Sequence, residues 1–323
     1  MSNSRDAILE WGTHDHIASK NLRRALDVAG ALPNRDDWGR FIDSALLWFG
    51  IVMIAAGAIF FLAYNWDDLG RYAKFALAES LVVMALALGW WGGLERSEGR
   101  AGRVAAALLV GALLALVGQT YQTGADTFEL FLAWALAILP WVLCGRLPAL
   151  WLVWLGLANL AVVLYFQAFR DLFGILFAPE RELWLLFGLN TVALVLWEGL
   201  ATRMAWLRKR WALRIVATAS GTCMTMLAVI DIFDDRAFGW SVPVWLIWTG
   251  AAYAIYRRRI QDTFVLASGV LSGIVVIATF LADLILGAQL QAGGFLFIGL
   301  VVIGLSAAGG IWLKKIVSEE ESA

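Results

Sequence analysis

Charge is scarce in this chain. Asp, Glu, Lys and Arg together make up 16% of it and hydrophobic residues 61%, whereas soluble domains carry about a quarter charged residues. The few charges fall in short intervals between long apolar runs, the pattern of a chain that crosses a membrane many times. Cysteine and histidine are nearly missing. The two cysteines, Cys144 and Cys223, lie at a helix end and inside an apolar run, with no ligand spacing between them. That leaves no disulfide framework or cysteine metal site to read. The two histidines, His14 and His16, lie outside the apolar runs and face different sides of a helix start. No HExxH occurs, so zinc-dependent and Ser–His intramembrane hydrolysis each lack a necessary residue. No Walker A loop is present, and ATP-driven work would need another subunit. No cofactor, no metal and no enzymatic activity are expected. The formal net charge of −1 says nothing about partners, and no nucleic-acid partner is expected.

What the chain does have is apolar length. About ten runs approach the roughly 20 residues a bilayer-spanning helix needs. They are Asp43–Tyr64, Leu69–Trp91, Val104–Thr123, Thr127–Cys144, Ala149–Ala168, Glu182–Leu200, Ile215–Phe233, Val242–Tyr256, Thr263–Leu286 and Gly293–Leu313. The expected fold is an all-α polytopic bundle over residues 43–313. Residues 1–42 precede it as a cytoplasmic helical segment with an interfacial helix, and 314–323 follow as an acidic tail. No signal peptide is read, because roughly the first 40 residues are polar. Periodicity from His14 to Val28 predicts a helix that stops at Gly30.

Basic residues set the orientation. Counting alternately from the N-terminus, one side carries Arg23, Arg24, Arg35, Arg40, Arg96, Arg100, Arg103 and Arg146. The later loops of that side add Arg203, Arg208, Lys209, Arg210, Arg214, Arg257, Arg258, Arg259, Lys314 and Lys315. The opposite side has only Arg71, Lys74, Arg170, Arg181 and Arg236. Both termini are therefore expected in the cytoplasm. The outer side is left acidic, either as a cation-attracting mouth or as ordinary solvated carboxylates.

Two polar stretches interrupt the apolar runs as candidate binding sites. The first is the turn Asn65-Trp66-Asp67-Asp68, where Asn suits a helix end, Asp a helix start, and Trp the headgroup layer. The second is Gln119, Tyr121 and Gln122 at the outer end of the third span, with Gln119 about a turn inside the membrane. Consecutive helices are usually neighbours, so these groups are expected to line one outward pocket. Glu79, Asn159 and Asn190 fall at mid-span. An ionisable group there is costly unless paired or protonated. All three are expected in the bundle interior, either as a proton- or cation-responsive site titrated by Glu79 or as interhelical hydrogen bonds. Glu198 and Asp43 sit near the basic ends, where they can pair with arginine. Gly269-x-x-x-Gly273, overlapped by Ser268 and Ser272, reads as a helix-packing device, as do Gly304 and Gly309-Gly310.

Ala63-Tyr64-Asn65-Trp66-Asp67-Asp68 resembles a motif of the bacterial membrane family called domain of unknown function 2157. So does Gly118-Gln119-Thr120-Tyr121-Gln122-Thr123-Gly124-Ala125-Asp126, followed by Leu130-Phe131 and Trp134. The resemblance covers Ile8 to Trp141. It implies a multi-pass protein of the bacterial inner membrane and supplies no catalytic residues. It also implies partners: a second polytopic protein and a small membrane-anchored protein with a GDYxxLxY motif, together an envelope complex.

Two functions remain open at this point. One is a non-enzymatic component of an envelope assembly that binds lipid or partner proteins. The other is a transporter or channel for a small solute or cation, with Glu79 as its titrating group.

Overall fold

The computed structural model describes residues 8, 11, 17, 19–30, 35–64, 70–93, 96–169, 179–234, 239–287 and 291–321. Among them every regular element is helical. The helices are α1 (Ser19–Val28), α2 (Arg35–Tyr64), α3 (Arg71–Trp91), α4 (Ser97–Tyr121), α5 (Thr127–Gly145) and α6 (Pro148–Phe169). They continue as α7 (Pro179–Ala201), a short 3-10 turn (Ala205–Arg208), α8 (Arg210–Phe233), α9 (Ser241–Arg258), α10 (Thr263–Gly287) and α11 (Gln291–Glu321).

Eight of these are long and apolar enough to cross a membrane. Two of the expected spans do not meet that measure among the described residues. The expected first span lies within α2, a helix of 30 residues that runs unbroken from Arg35 through the interfacial stretch. The expected eighth lies within α9, which has only 18 residues and ends on Arg257 and Arg258.

Short connections join several neighbours, and left-handed residues make them possible. Gln122 and Gly124 both have positive φ between α4 and α5. The Thr123 amide donates to the Gly118 carbonyl at 3.4 Å, closing the end of α4 in a Schellman-type turn. Arg146, with φ of 45°, ends α5 just before Pro148 opens α6, where a missing N–H costs nothing.

The chain divides into two compact units, Met1–Leu108 (with Ala323) and Leu109–Ser322. In the first, α3 buries a stripe of Ala78, Val82, Ala85 and Gly89. Its end crosses the start of α4 almost backbone on backbone. A Cβ on Gly102 would lie 2.6 Å from the Gly89 nitrogen and 2.9 Å from the Ala85 carbonyl oxygen. One on Gly92 would lie 2.5 Å from the Gly99 nitrogen. Arg103 fastens the joint, its Nε donating to the Gly99 carbonyl at 2.9 Å and its Nη2 to the Gly93 carbonyl at 2.5 Å.

The second unit is organised on α8, which packs against α6, α7, α9 and α10. Its buried face runs through Leu213, Val216, Ala217, Ser220, Met224 and Leu227. At the other end of this unit's sequence, α10 packs on α11. Trp134 of α5 lies flat on Gly111, where any Cβ would collide with the indole. Both cysteines are unbridged.

Candidate functional site

The polar groups of the second unit form two sets, one at mid-helix and one at the basic end. At mid-helix, Asn159 of α6 meets Asn190 of α7. Asn190 Nδ2 donates to Asn159 Oδ1 at 2.6 Å, and Asn159 Nδ2 donates back to Asn190 Oδ1 at 3.3 Å. Each amide's other proton goes to its own helix, to Leu155 O at 2.7 Å and Leu186 O at 2.8 Å. Asn190 is 1% exposed, and the pairing meets the demand of both amides for donors and acceptors.

The next residue, Thr191, continues the seam to α8, its hydroxyl 2.7 Å from Ser220 Oγ. One turn further on, Thr225 bridges α8 to α10 and α9. Its hydroxyl donates to the Gly221 carbonyl at 2.7 Å. The 2.6 Å contact with Ser272 must therefore run from Ser272 to Thr225. Ser272 in turn accepts the Trp245 indole N–H at 2.8 Å. Five helices are thus linked by side chains, α6 to α7 to α8 to α10 to α9.

At the basic end, Asp262 ties α8 to the start of α10. Its carboxylate accepts Arg214 Nε at 3.2 Å, lies 3.9 Å from Arg210 Nε, and caps the Phe264 amide at 3.1 Å. The Asp262 side chain is 1% exposed. Arg210 also binds Glu198 of α7 at 2.9 Å, the pairing with arginine expected for that residue. Trp197 Nε1 donates to the Leu207 carbonyl at 3.1 Å and holds the 3-10 turn against α7. At the opposite end of α8, Asp231 accepts the Val242 amide at 3.2 Å and starts α9.

Beside this seam lies a groove of about 690 Å³, lined by residues of α8, α9 and α10 together with Trp312. It is apolar but for a few hydroxyls. One of them, on Thr249, is buried and makes no hydrogen bond among the described residues; nor do the buried indole nitrogens of Trp151 and Trp154. Gly269 lines the groove, and a Cβ there or at Gly273 would meet nothing within 4 Å. This corrects the reading of that pair as a packing device. The close approach between α10 and α11 is made instead by Gly309 against Val270.

The other sequence candidates fare differently. Asn65, Trp66, Asp67 and Asp68 lie outside the described residues, as do His14 and His16. Gln119, Tyr121 and Gln122 are exposed at the end of α4. Glu79 does not enter the interior with Asn159 and Asn190. It is exposed on α3, on the face of Tyr72, Ala76 and Val83 rather than the buried stripe. Sequence reasoning passed over Asp262 altogether. Its signal was a single acid after three arginines and just before a helix start, the position of an N-cap.

The N-terminal part of the chain, residues 9–151, matches the family model of domain of unknown function 2157, described as a predicted membrane protein. The resemblance expected over Ile8 to Trp141 is thereby shown. No curated protein and no solved structure matches the chain.

Proposed function

We propose that this multi-pass membrane protein is a non-enzymatic component of an envelope assembly in the bacterial inner membrane. In this reading it has about ten spans, both termini cytoplasmic, and it binds other membrane proteins through its helix faces. One observation carries the reading: Glu79 is exposed in the middle of α3 and has no hydrogen-bond or ion-pair partner among the described residues. It lies eight residues from Arg71, about 12 Å along the helix axis. A carboxyl facing lipid at that depth costs several kcal/mol by typical scales, on the order of 3. A helix from another protein bringing a donor or a cation to Glu79 removes that cost. The partners implied by the family resemblance, a second polytopic protein and a small membrane-anchored one, are of the kind required.

The test places a photo-crosslinking residue at Val83, one turn from Glu79 on the same exposed face, in native membranes. The expected result is an adduct with another membrane protein that disappears with Glu79→Leu, while the Glu79→Leu protein purifies folded. No adduct, or one indifferent to Glu79, overturns the assembly reading. Reconstituted protein decides the transporter alternative. There, Glu79→Gln would have to alter a pH-dependent cation flux measured with this chain alone in proteoliposomes.

A further inference from the structure

We infer that the helix seated on Glu79 belongs to a protein of different sequence and carries a fixed cation, a lysine or arginine, at the depth of Glu79 in its own membrane span. The inference rests on the reading of α3 as a docking face and commits that face to one kind of partner.

Tyr72, Glu79, Val83 and Trp90 recur on one side of α3 at helical spacing. All four are exposed, Tyr72 at 80% and Trp90 at 86%. From Tyr72 to Trp90 this stripe runs about 27 Å at 1.5 Å per residue, close to the roughly 30 Å of a hydrocarbon core. An aromatic ring that suits the headgroup layer stands at each end of it. Beside Glu79 stand Ala76 and Ser80, both small and exposed, where another helix can approach closely. The Ser80 hydroxyl already donates to the Ala76 carbonyl at 2.5 Å, so its proton is used within α3.

The chemistry of a carboxylate selects the occupant. An ionised carboxyl accepts hydrogen bonds and donates none. The backbone N–H groups of a spanning helix are taken by the helix itself, so the donor has to come from a side chain. A hydroxyl or an amide supplies the hydrogen bond and leaves the charge in hydrocarbon. A lysine or arginine supplies the bond and cancels the charge. A lipid ammonium does not reach: it stays with the headgroups at the level of Arg71, about 12 Å away along the axis.

The chain cannot supply this cation from a second copy of itself. Among the described residues its basic side chains keep to helix ends. Arg103 and Arg214 stand within two turns of the starts of α4 and α8, and Lys314 within two turns of the end of α11. On α3 itself, Lys74 lies about 140° around the helix from Glu79 and is half-buried. Arg71 is turned onto Tyr72, its Nη2 3.4 Å from the hydroxyl and its Cζ 5.2 Å from the ring centre. Two copies joined through this face would set carboxyl against carboxyl. The mid-helix donors of the other unit are bonded to one another, Asn159 with Asn190, Thr191 with Ser220 and Thr225 with Ser272.

The experiment uses the full chain in native membranes, with the photo-crosslinking residue at Val83 and the partner segment of the adduct sequenced by mass spectrometry. That segment is expected to be an apolar run of about 20 residues with a lysine or arginine within one turn of the crosslinked position. Glu79→Gln keeps the shape and the hydrogen bonding but not the charge, in protein that still purifies folded. It should lower the adduct at least about tenfold, as far as Glu79→Leu does. Glu79→Lys should abolish the adduct, and exchanging the partner's basic residue for glutamate should restore it in the Glu79→Lys background alone. An adduct that Glu79→Leu removes and Glu79→Gln keeps leaves the assembly reading standing and overturns the cation. So does a partner segment without a basic residue, or a charge exchange that restores nothing. An adduct between two copies of this chain, or no adduct, overturns both.

Discussion

The two compact units solve the same problem by different physics. Helices in a membrane gain no hydrophobic drive from meeting each other, so close packing or hydrogen bonds must hold them. Within Met1–Leu108, α3 and α4 join by backbone proximity, at Gly89 and Gly92 against Gly99 and Gly102. Within Leu109–Ser322, polar side chains make several of the joints: Asn159 with Asn190, Thr191 with Ser220, and Thr225 with Ser272 and Trp245. A backbone joint tolerates no added atom. A side-chain joint tolerates substitutions that keep shape and loses strength bond by bond.

The sharpest way to break this comparison is to put one side chain on a glycine in each unit. Gly102→Leu drives its Cβ into backbone atoms of Gly89 and Ala85, which cannot rotate away. Overpacking ordinarily costs about 1–3 kcal/mol where side chains can yield, and here the cost should reach or exceed the top of that range. Little folded protein is expected from a size-exclusion profile after heating. Gly269→Leu, with nothing within 4 Å, should leave the same profile unchanged. If the two variants behave alike, the backbone joint is not what holds α3 to α4.

A middle-sized effect belongs to Asp262. Losing a helix N-cap costs about 1 kcal/mol, and an unpaired buried ion pair about 3–5. Arg210 and Arg214 have side chains 34% and 42% exposed, so solvent screens much of the second contribution. Asp262→Ala should therefore destabilise by roughly 2 kcal/mol in SDS-induced unfolding. Asp262→Asn, an equally good cap without the charge, should recover about 1 kcal/mol of that. Equal losses for both would assign the whole effect to the arginines.

That contrast also explains what could be read in advance. Long apolar runs made the all-helical fold legible, because only helices satisfy the backbone along such runs in lipid. Asn159 and Asn190 were legible as groups needing a partner, and they found each other. Glu79 carried the same signal but faces outward, because depth along a helix follows from residue count while its facing depends on which neighbours pack. The glycines show the limit most plainly. Gly102 and Gly269 are the same letter in similar surroundings, yet one touches backbone and the other open space. The hydroxyl seam was hidden for a related reason: Thr218 and Ser268 bond back to their own helix, whereas Ser272 and Thr191 reach across. Nothing local separates them.

The smallest effects test whether the second unit's joints are additive bonds at all. Replacing Asn190 by Leu leaves Asn159 its bond to Leu155 but takes its partner on α7. Interhelical polar contacts in membranes average about 0.6 kcal/mol, rising to roughly 2 in model peptides. The reciprocal amide pair should lie near the upper end, because each residue both donates to and accepts from the other. A double-mutant cycle with Asn159→Leu and Asn190→Leu, read by SDS-induced unfolding, should give a coupling of about 1–2 kcal/mol. The same cycle with Thr191→Val and Ser220→Ala removes one hydroxyl contact and should give about 0.6 kcal/mol. The two couplings should add when all four substitutions are combined only if the seam is a row of separate bonds. Because Asn190 and Thr191 are adjacent on α7, a combined loss well above the sum would mean that α7 moves as one body when both sides let go.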